Sequence, residues 1–394
     1  MAELLSVDEA LALVLERVRT LEHERVPLAE ALGRVLAEDV HAAVDLPPFR
    51  SSAMDGYAVR AEDAPGRLRV TGRVAAGRPS GHPLGPGEAI GIATGGAVPD
   101  GADAVVPIEL VVESDNAIEI ADAAVGAHIR PVGGDVGRGD RILEAGTILG
   151  PSALGAAAAA GIDALTCTRR PRAAVLSTGT ELRRPGEQLG PGEIYESNAT
   201  MLAAALAGAG AEVETLAAVA DDETAHRHAL ERGLDADVLV TSGGVSVGPH
   251  DLVRATAAGL GVEEVFWRVA VKPGKPVAFG VRDRTLVFGL PGNPVSALVG
   301  FELFVRPAVR ALQGAEPGPL YRSGRLGRTL RRNEHRDELA RARTRLDEGE
   351  VVLEPVSGQE SHMIVRAAAA DALVLLPRGQ GELEAGSPVR YLAL

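Results

Sequence analysis

The strongest constraint on this chain lies downstream of Arg172, where short apolar runs alternate with longer segments of helical character. RAAVLSTG, EVETLAAVA, DADVLVTSGG and RTLVFGL read as buried strands. SNATMLAAALAGAGA, DDETAHRHALERGL and NPVSALVGFELFVRPAVRALQG read as helices. Such alternation predicts a parallel sheet with helices on both faces. Ligands on sheets of this kind lie at the carboxyl ends of the strands.

Three strand-end loops carry the chemistry: STGTEL, TSGGVSVGPHD and LPGNPVS. Their glycines, Gly243, Gly244 and Gly248 among them, allow left-handed backbone and a close main-chain approach to a ligand. A strand running through such a loop into a helix N-terminus suits an anion. Asp251 closes the second loop. It either holds a divalent cation through hard carboxylate oxygens, caps the following helix, or does both. Neither GxxxxGK[ST] nor a GxGxxG after a strand is present, so the chain is neither a P-loop ATPase nor a standard dinucleotide binder. Positive charge comes from VKPGKPVAFG, which holds Lys272 and Lys275, the only lysines in the chain. The flanking prolines stiffen the segment, and two ammonium groups on a stiff turn can hold an oxyanion.

The rest of the chain is organised differently. Ser6 and Glu9 form a capping-box pattern that starts an N-terminal helix, and a second helix is expected over residues 28–39, after Pro27. From about residue 49 to 136, short apolar runs separated by Gly and Pro predict a small all-β domain. Within it, Ser51, Ser52, Asp55 and Tyr57 of SSAMDGYAV crowd together, and Thr94 precedes two glycines. An Ala-rich helix is expected to begin near Ser152. AEPGP (315–319) reads as a linker, and the strand-rich remainder as a small β-barrel or sandwich.

Composition narrows the function classes. The chain has 394 residues, and its 54 acidic residues against 40 Lys plus Arg give a formal net charge of −14. That excess argues against general nucleic-acid binding. Neither long uncharged run, 145–162 or 285–301, has the sustained apolar content of a membrane span. With no basic start and no apolar signal core at the N-terminus, a cytoplasmic protein is expected. A lone Cys167 fits a reducing compartment.

PPFRSSAMDGYAVR, TGGAVPDGADAVVP, STGTEL, SGGVSVGPHD, KPGKPVAFG and LPGNPVSAL occur here in the order seen in molybdopterin molybdenumtransferases. The chain resembles this MoeA family, to which the E domains of gephyrin and of its plant counterpart are similar. The resemblance implies a multidomain α+β and α/β homodimer. Domain I (1–48 and 137–168) would be helical and discontinuous, and domain II (49–136) an inserted β domain. Domain III (169–313) would be a doubly wound α/β unit similar to MogA-type pterin-binding proteins, and domain IV (314–394) a small β domain. The implied reaction inserts molybdenum from molybdate into adenylylated molybdopterin and releases AMP. It would take place in a cleft between domain III of one subunit and domain II of its partner.

By motif, Lys272, Lys275 and Ser296 would hold molybdate, completed by Arg341 and Ser361. Glu181, Asp222 and Asp251 would serve the pterin and nucleotide side, and Asp55, Thr94 and Asp135 would face the same cleft. Gly243, Gly244, Ser246, Gly248, Pro291, Asn293 and Pro294 would line the substrate. Mg²⁺ would sit at Asp251. Molybdopterin-adenylylating and other cofactor-synthesis proteins are the implied partners. Gly134 stands where the family often has Glu, and His250 is given no catalytic role. Two rival readings stay open: an enzyme that adenylylates molybdopterin with ATP, and a scaffold.

Overall fold

The computed structural model describes residues 4–217, 223–244 and 252–394. It divides into two compact units. One comprises Met1–Glu24, Gly33–Ala37 and Cys167–Leu394, the other Arg25–Leu32 and Glu38–Thr166.

The first unit opens with helix α1 (Val7–Leu15). Its capping box is formed: Ser6 Oγ accepts the Glu9 N–H (3.2 Å) and Glu9 Oε2 accepts the Ser6 N–H (2.8 Å). Six strands follow in one sheet: β1 (Arg172–Ser177), β2 (Glu212–Thr215), β3 (Val238–Ser242), β4 (Glu263–Trp267), β5 (Ala278–Arg282) and β6 (Thr285–Leu290), in the spatial order β2-β1-β3-β6-β5-β4. The first four in that order are parallel. The expectation of a wholly parallel sheet is corrected at its other side, where β5 and β4 run antiparallel to their neighbours. The short connection from β5 to β6, with Asp283 at φ 54°, makes a hairpin, which leaves no room for a crossover helix.

Side chains alternate across the sheet as strand geometry requires. Val175, Val240 and Phe288 enter one core, and Ala174, Leu176, Leu239 and Val287 enter the other. Helices α2 (Asn198–Gly208), α3 (Glu223–Gly233) and α4 (Leu252–Gly259) connect the strands. The single helix expected after NPVS is three pieces: α5 (Pro294–Gly300), a π turn (Phe301–Val305) and α6 (Arg306–Leu312). Pro307 has no N–H to offer the carbonyl four residues back, and the widened turn absorbs that gap.

Near the C-terminus, Arg322–Leu326, Asp337–Asp347, Glu350–Pro355, Ala372–Leu376 and Pro388–Ala393 form a closed five-stranded barrel. Closure comes from Asp337–Asp347, which pairs with strands on both of its sides. Val271–Lys272 adds to this barrel as an edge strand, parallel to Asp337–Glu338.

The second unit holds a six-stranded sheet in the order Ala104–Pro107, Gly56–Val59, Glu88–Ile92, Gly66–Val74, Ala117–Ile120, Val111–Ser114. Tyr57 and Val59 face one core and Ala58 the other. Gly56 is required, because a Cβ there would lie 2.1 Å from the Val106 carbonyl oxygen. The Ala-rich helix spans Pro151–Ala159. The helix expected over residues 28–39 does not form. Only Leu28–Glu30 make a 3-10 turn, Gly33 takes a left-handed φ of 72°, and Leu36 bridges Cys167 as an extended residue. The segments 1–48 and 137–168, expected to be one helical domain, are divided between the two units, with α1 in the first and Pro151–Ala159 in the second. No helix among the described residues is long and apolar enough to cross a membrane.

Candidate functional site

The parallel strands end in register. Ser177 pairs with Ser242, and Ser242 with Leu290, so the three strand-end loops leave the sheet side by side. Between them lies a cavity of about 480 Å³, lined by Ser177, Thr178, Glu181, Glu196, Asn198, Ser242, Gly292, Asn293, Pro294 and His362, among others. Gly243 and Gly244 take left-handed φ values of 93° and 64°. A Cβ on Gly243 would fall 2.6 Å from the Thr178 carbonyl oxygen, and one on Gly244 2.4 Å from Val253 Cγ2. Any larger residue would force Thr178 or Val253 to shift.

The cavity wall is a hydrogen-bonded lattice with one gap. Asn198 Nδ2 donates to Ser242 Oγ and to the Gly292 carbonyl (both 2.7 Å), and Ser242 Oγ donates to the Pro291 carbonyl (3.4 Å). Because the Gly292 carbonyl can only accept, the orientation of the Asn198 amide is fixed. Its Oδ1 is buried without a partner. Glu196 Oε1 accepts from Ser177 Oγ (2.9 Å) and from the Ala199 N–H (2.7 Å), so Glu196 satisfies the first turn of α2. Ser197, at the N-cap position of that helix, makes no side-chain cap bond. Asn293 precedes α5 with extended backbone and Pro294 opens its first turn.

The lysine loop reaches the same helix. Gly274 supplies the left-handed φ of 112° that the turn needs, and a Cβ there would meet the Ser296 carbonyl at an ordinary contact distance of 3.4 Å. The Ser296 side chain itself is buried. Lys275 is exposed, and among the described residues no carboxylate pairs with it. Lys272 is held by Glu338 (3.1 Å) beside a cavity of about 390 Å³ that Arg331, Arg332 and His335 also line.

Arg341 corrects its expected role. It is fully buried, and its guanidinium donates to the carbonyls of Met363 (2.8 Å), Gly358 (2.7 Å) and Glu360 (3.2 Å). Those bonds turn three of its five N–H donors onto main-chain carbonyls, and the buried guanidinium presents no exposed fork to an anion. It shapes the loop that carries Ser361, whose carbonyl accepts the Val295 N–H of α5 (3.0 Å). Ser361 thus reaches the site through its main chain.

In the second unit, Asp55 and Thr94 meet. Asp55 Oδ1 accepts the Thr94 N–H (2.7 Å), and both residues are exposed. The neighbouring hydroxyls are structural: Ser52 Oγ donates to the Met54 carbonyl (2.6 Å), and the buried Tyr57 donates to Glu113. The Asp135 N–H donates to the Leu46 carbonyl (2.8 Å), leaving an exposed carboxylate. Asp222, Ser246, Gly248, His250 and Asp251 lie outside the described residues. Among the described residues no group of three His, Cys, Asp or Glu is placed to hold a metal.

Over 98% of both chains, this sequence is 40% identical to molybdopterin molybdenumtransferase 2 of Mycobacterium tuberculosis. The chain belongs to the molybdopterin molybdenumtransferase family. The Haemophilus influenzae molybdopterin molybdenumtransferase is 35% identical, again over 98% of both chains. Residues 5–161 match the MoeA N-terminal region (domain I and II), 174–311 a probable molybdopterin binding domain, and 323–394 the MoeA C-terminal region (domain IV). The crystal structure of a MoeA molybdopterin biosynthesis protein from Pyrococcus horikoshii superposes with a TM-score of 0.85, at 29% identity and full coverage of both chains.

Within this molybdenumtransferase fold, sequence reasoning missed Glu196, Asn198 and His362 as cavity residues. The run ESN before an apolar helix signalled only a helix start, and that signal also carried the cavity wall. His362 had no signal of its own, because only the folded loop after Gly358 brings it to the α/β unit.

Proposed function

We propose that this chain inserts molybdenum from molybdate into adenylylated molybdopterin and releases AMP. The single observation that carries the reading is its 40% identity, over 98% of both chains, to a protein named for molybdenum transfer. The geometry supports it. Molybdate, the substrate dianion, meets the exposed ammonium of Lys275, with Lys272 behind it on a strand anchored to the barrel. The pterin nucleotide lies along the cavity at the carboxyl edge, its phosphates against the left-handed Gly243–Gly244 backbone. Two molybdenum–sulfur bonds form as both thiol protons leave with one oxo group as water. A second water cleaves the phosphoanhydride to give AMP.

A divalent cation fits the donor chemistry of this cavity. Glu181, Glu196 and the partnerless Asn198 Oδ1 are hard oxygen donors of the kind Mg²⁺ takes. We assign these residues, with Asp251 from the following loop, to hold it. When bound, the ion would offset pyrophosphate charge. The residues themselves orient the nucleotide and exclude water from its apolar side.

We also propose a cytoplasmic homodimer that receives its pterin nucleotide from an adenylylating protein. In that dimer Asp55, Thr94 and Asp135 of one subunit would serve the cleft of the other. Mixing Asp55→Asn with Lys275→Ala subunits tests this arrangement. At a molybdate concentration low enough that Lys275→Ala alone is nearly inactive, heterodimers would regain one intact cleft, and AMP release should recover to roughly a quarter of wild type at random reassortment. No recovery would sink the shared cleft. Incubation with adenylylated molybdopterin and molybdate should yield AMP, whereas turnover of ATP with molybdopterin would favour the adenylylating reading.

A further inference from the structure

We propose that Arg268 is a further oxyanion-binding residue, extending the anion site beyond the two lysines. The inference rests on the reading that the carboxyl edge of the sheet receives anionic substrates, and it names a side chain that no motif marked.

Topology places Arg268 at that edge. Trp267 pairs with Ala278, Ala278 with Gly289, and Gly289 with Thr241, so one row crosses the sheet from β4 to β3. Arg268 is the next residue out from the row. Its N–H donates to the Val277 carbonyl (2.9 Å), and the Val269 N–H donates to the Lys275 carbonyl (3.0 Å). The main chain therefore fixes Arg268 opposite the lysine loop.

Its conformation is unusual. Arg268 has a φ of 78°, left-handed backbone that a long side chain rarely adopts. Strain of this kind persists where the surroundings over-determine it, and it gathers at ligand sites. The side chain is fixed as well. Arg268 Cζ lies 3.7 Å from the Trp267 ring centroid and Arg254 Cζ lies 4.1 Å from it. Two guanidinium groups that close to one centroid cannot share a face, so they sandwich the indole.

The two arginines differ in one respect. Arg254 is satisfied by Glu264 through two bonds of 2.8 and 2.9 Å. Among the described residues no carboxylate pairs with Arg268, which is half-buried. A guanidinium held over an indole face keeps a planar N–H fork with little freedom to turn, pre-organised for two oxygens of a tetrahedral oxyanion. Molybdate and a nucleotide phosphate both present that group.

The test is direct binding of molybdate and of AMP to the full-length protein, by equilibrium dialysis, alongside melting temperature. Arg268→Asn removes the fork while tolerating the left-handed backbone. It should weaken one of the two ligands about tenfold, roughly the contribution of one charge-assisted hydrogen-bond pair, with little change in melting. Loss of molybdate affinity alone assigns the fork to molybdate, and loss of AMP affinity alone assigns it to the phosphate. Arg268→Lys, which keeps the charge without the planar fork, should fall between Asn and wild type. If Arg268→Asn is poorly folded, Arg268→Lys decides, and wild-type affinities for both ligands overturn the proposal. A folded Arg268→Asn with both affinities unchanged overturns it too. If the wild type binds neither molybdate nor AMP, the underlying reading of the edge fails first.

Discussion

The two edges of the central sheet are made from the same strands and finished in opposite ways. At the amino edge polar groups satisfy one another. Asp237 accepts from Arg169 through both carboxylate oxygens (2.7 and 2.8 Å) and from the Arg172 N–H (2.8 Å), and Thr285 Oγ1 donates to the Ala236 carbonyl (2.8 Å). At the carboxyl edge the lattice is open. Asn198 Oδ1 has no partner, and neither Lys275 nor Arg268 has a carboxylate among the described residues. One edge therefore contributes to folding, while the other leaves donors and acceptors unpaired, as the proposed substrate site requires. Mutations should separate the two effects.

The largest effect is expected at the closed edge. Asp237→Asn should cost about 2–4 kcal/mol of stability in urea unfolding, at or below the range for breaking a buried pair because Arg169 keeps 28% of its side chain exposed. AMP release per folded molecule should not change. Burial alone would raise the Asp237 pKa, but the Arg169 fork and the Arg172 amide outweigh it and hold the group below its ordinary value. A lowered folded pKa means this stability is complete above the ordinary aspartate value of about 3.9 and drains away as pH falls through the folded value. The gap between variant and wild type should therefore close below about pH 4. Equal stability at pH 7 would break the comparison.

At the open edge, Lys275→Ala should raise the molybdate concentration for half-maximal AMP release about tenfold, near 1.4 kcal/mol, and leave unfolding unchanged. A single charge pair at about 4 Å contributes on the order of 4 kcal/mol at an effective dielectric near 20, and desolvation offsets much of it. A fall in pterin-nucleotide affinity with unchanged molybdate dependence would reassign the lysine to the phosphates.

The smallest effect belongs to neither edge. Cys167 is fully buried, and burial raises its pKa, which keeps it a neutral packing group. Cys167→Ala should keep wild-type turnover, measured as AMP release, at a stability cost of about 1 kcal/mol. Lost turnover in a folded variant would give the thiol a role that the comparison lacks.

How much of this was legible depended on whether the determining contacts were local. The strands ending at Ser177, Ser242 and Leu290 were readable because apolar runs stop at small, glycine-rich loops. Left-handed Gly243 and Gly244 were readable because only glycine suits that backbone. Residues 28–39 misled, since Leu28, Ala31, Leu32, Val35 and Leu36 mimic helical spacing. Gly33 and the extended pairing of Leu36 with Cys167, far along the chain, decided otherwise. Arg341 misled for the same reason. An arginine in a motif reads as an anion ligand, and nothing local reveals that carbonyls in 358–363 will draw its guanidinium inward.

The packing of α1 carries a consequence in time. Val7, Ala10 and Val14 share one core with Phe304, Val305 and Val309, and the Leu21 N–H donates to the Leu312 carbonyl (2.9 Å). A ribosome making roughly 5–20 residues per second needs about 15–60 s between the two segments. A helix of nine residues is too short to persist alone over that interval. Helix α1 is thus made long before the residues that secure it, and a nascent chain must shield its apolar stripe until Phe304, Val305 and Val309 emerge.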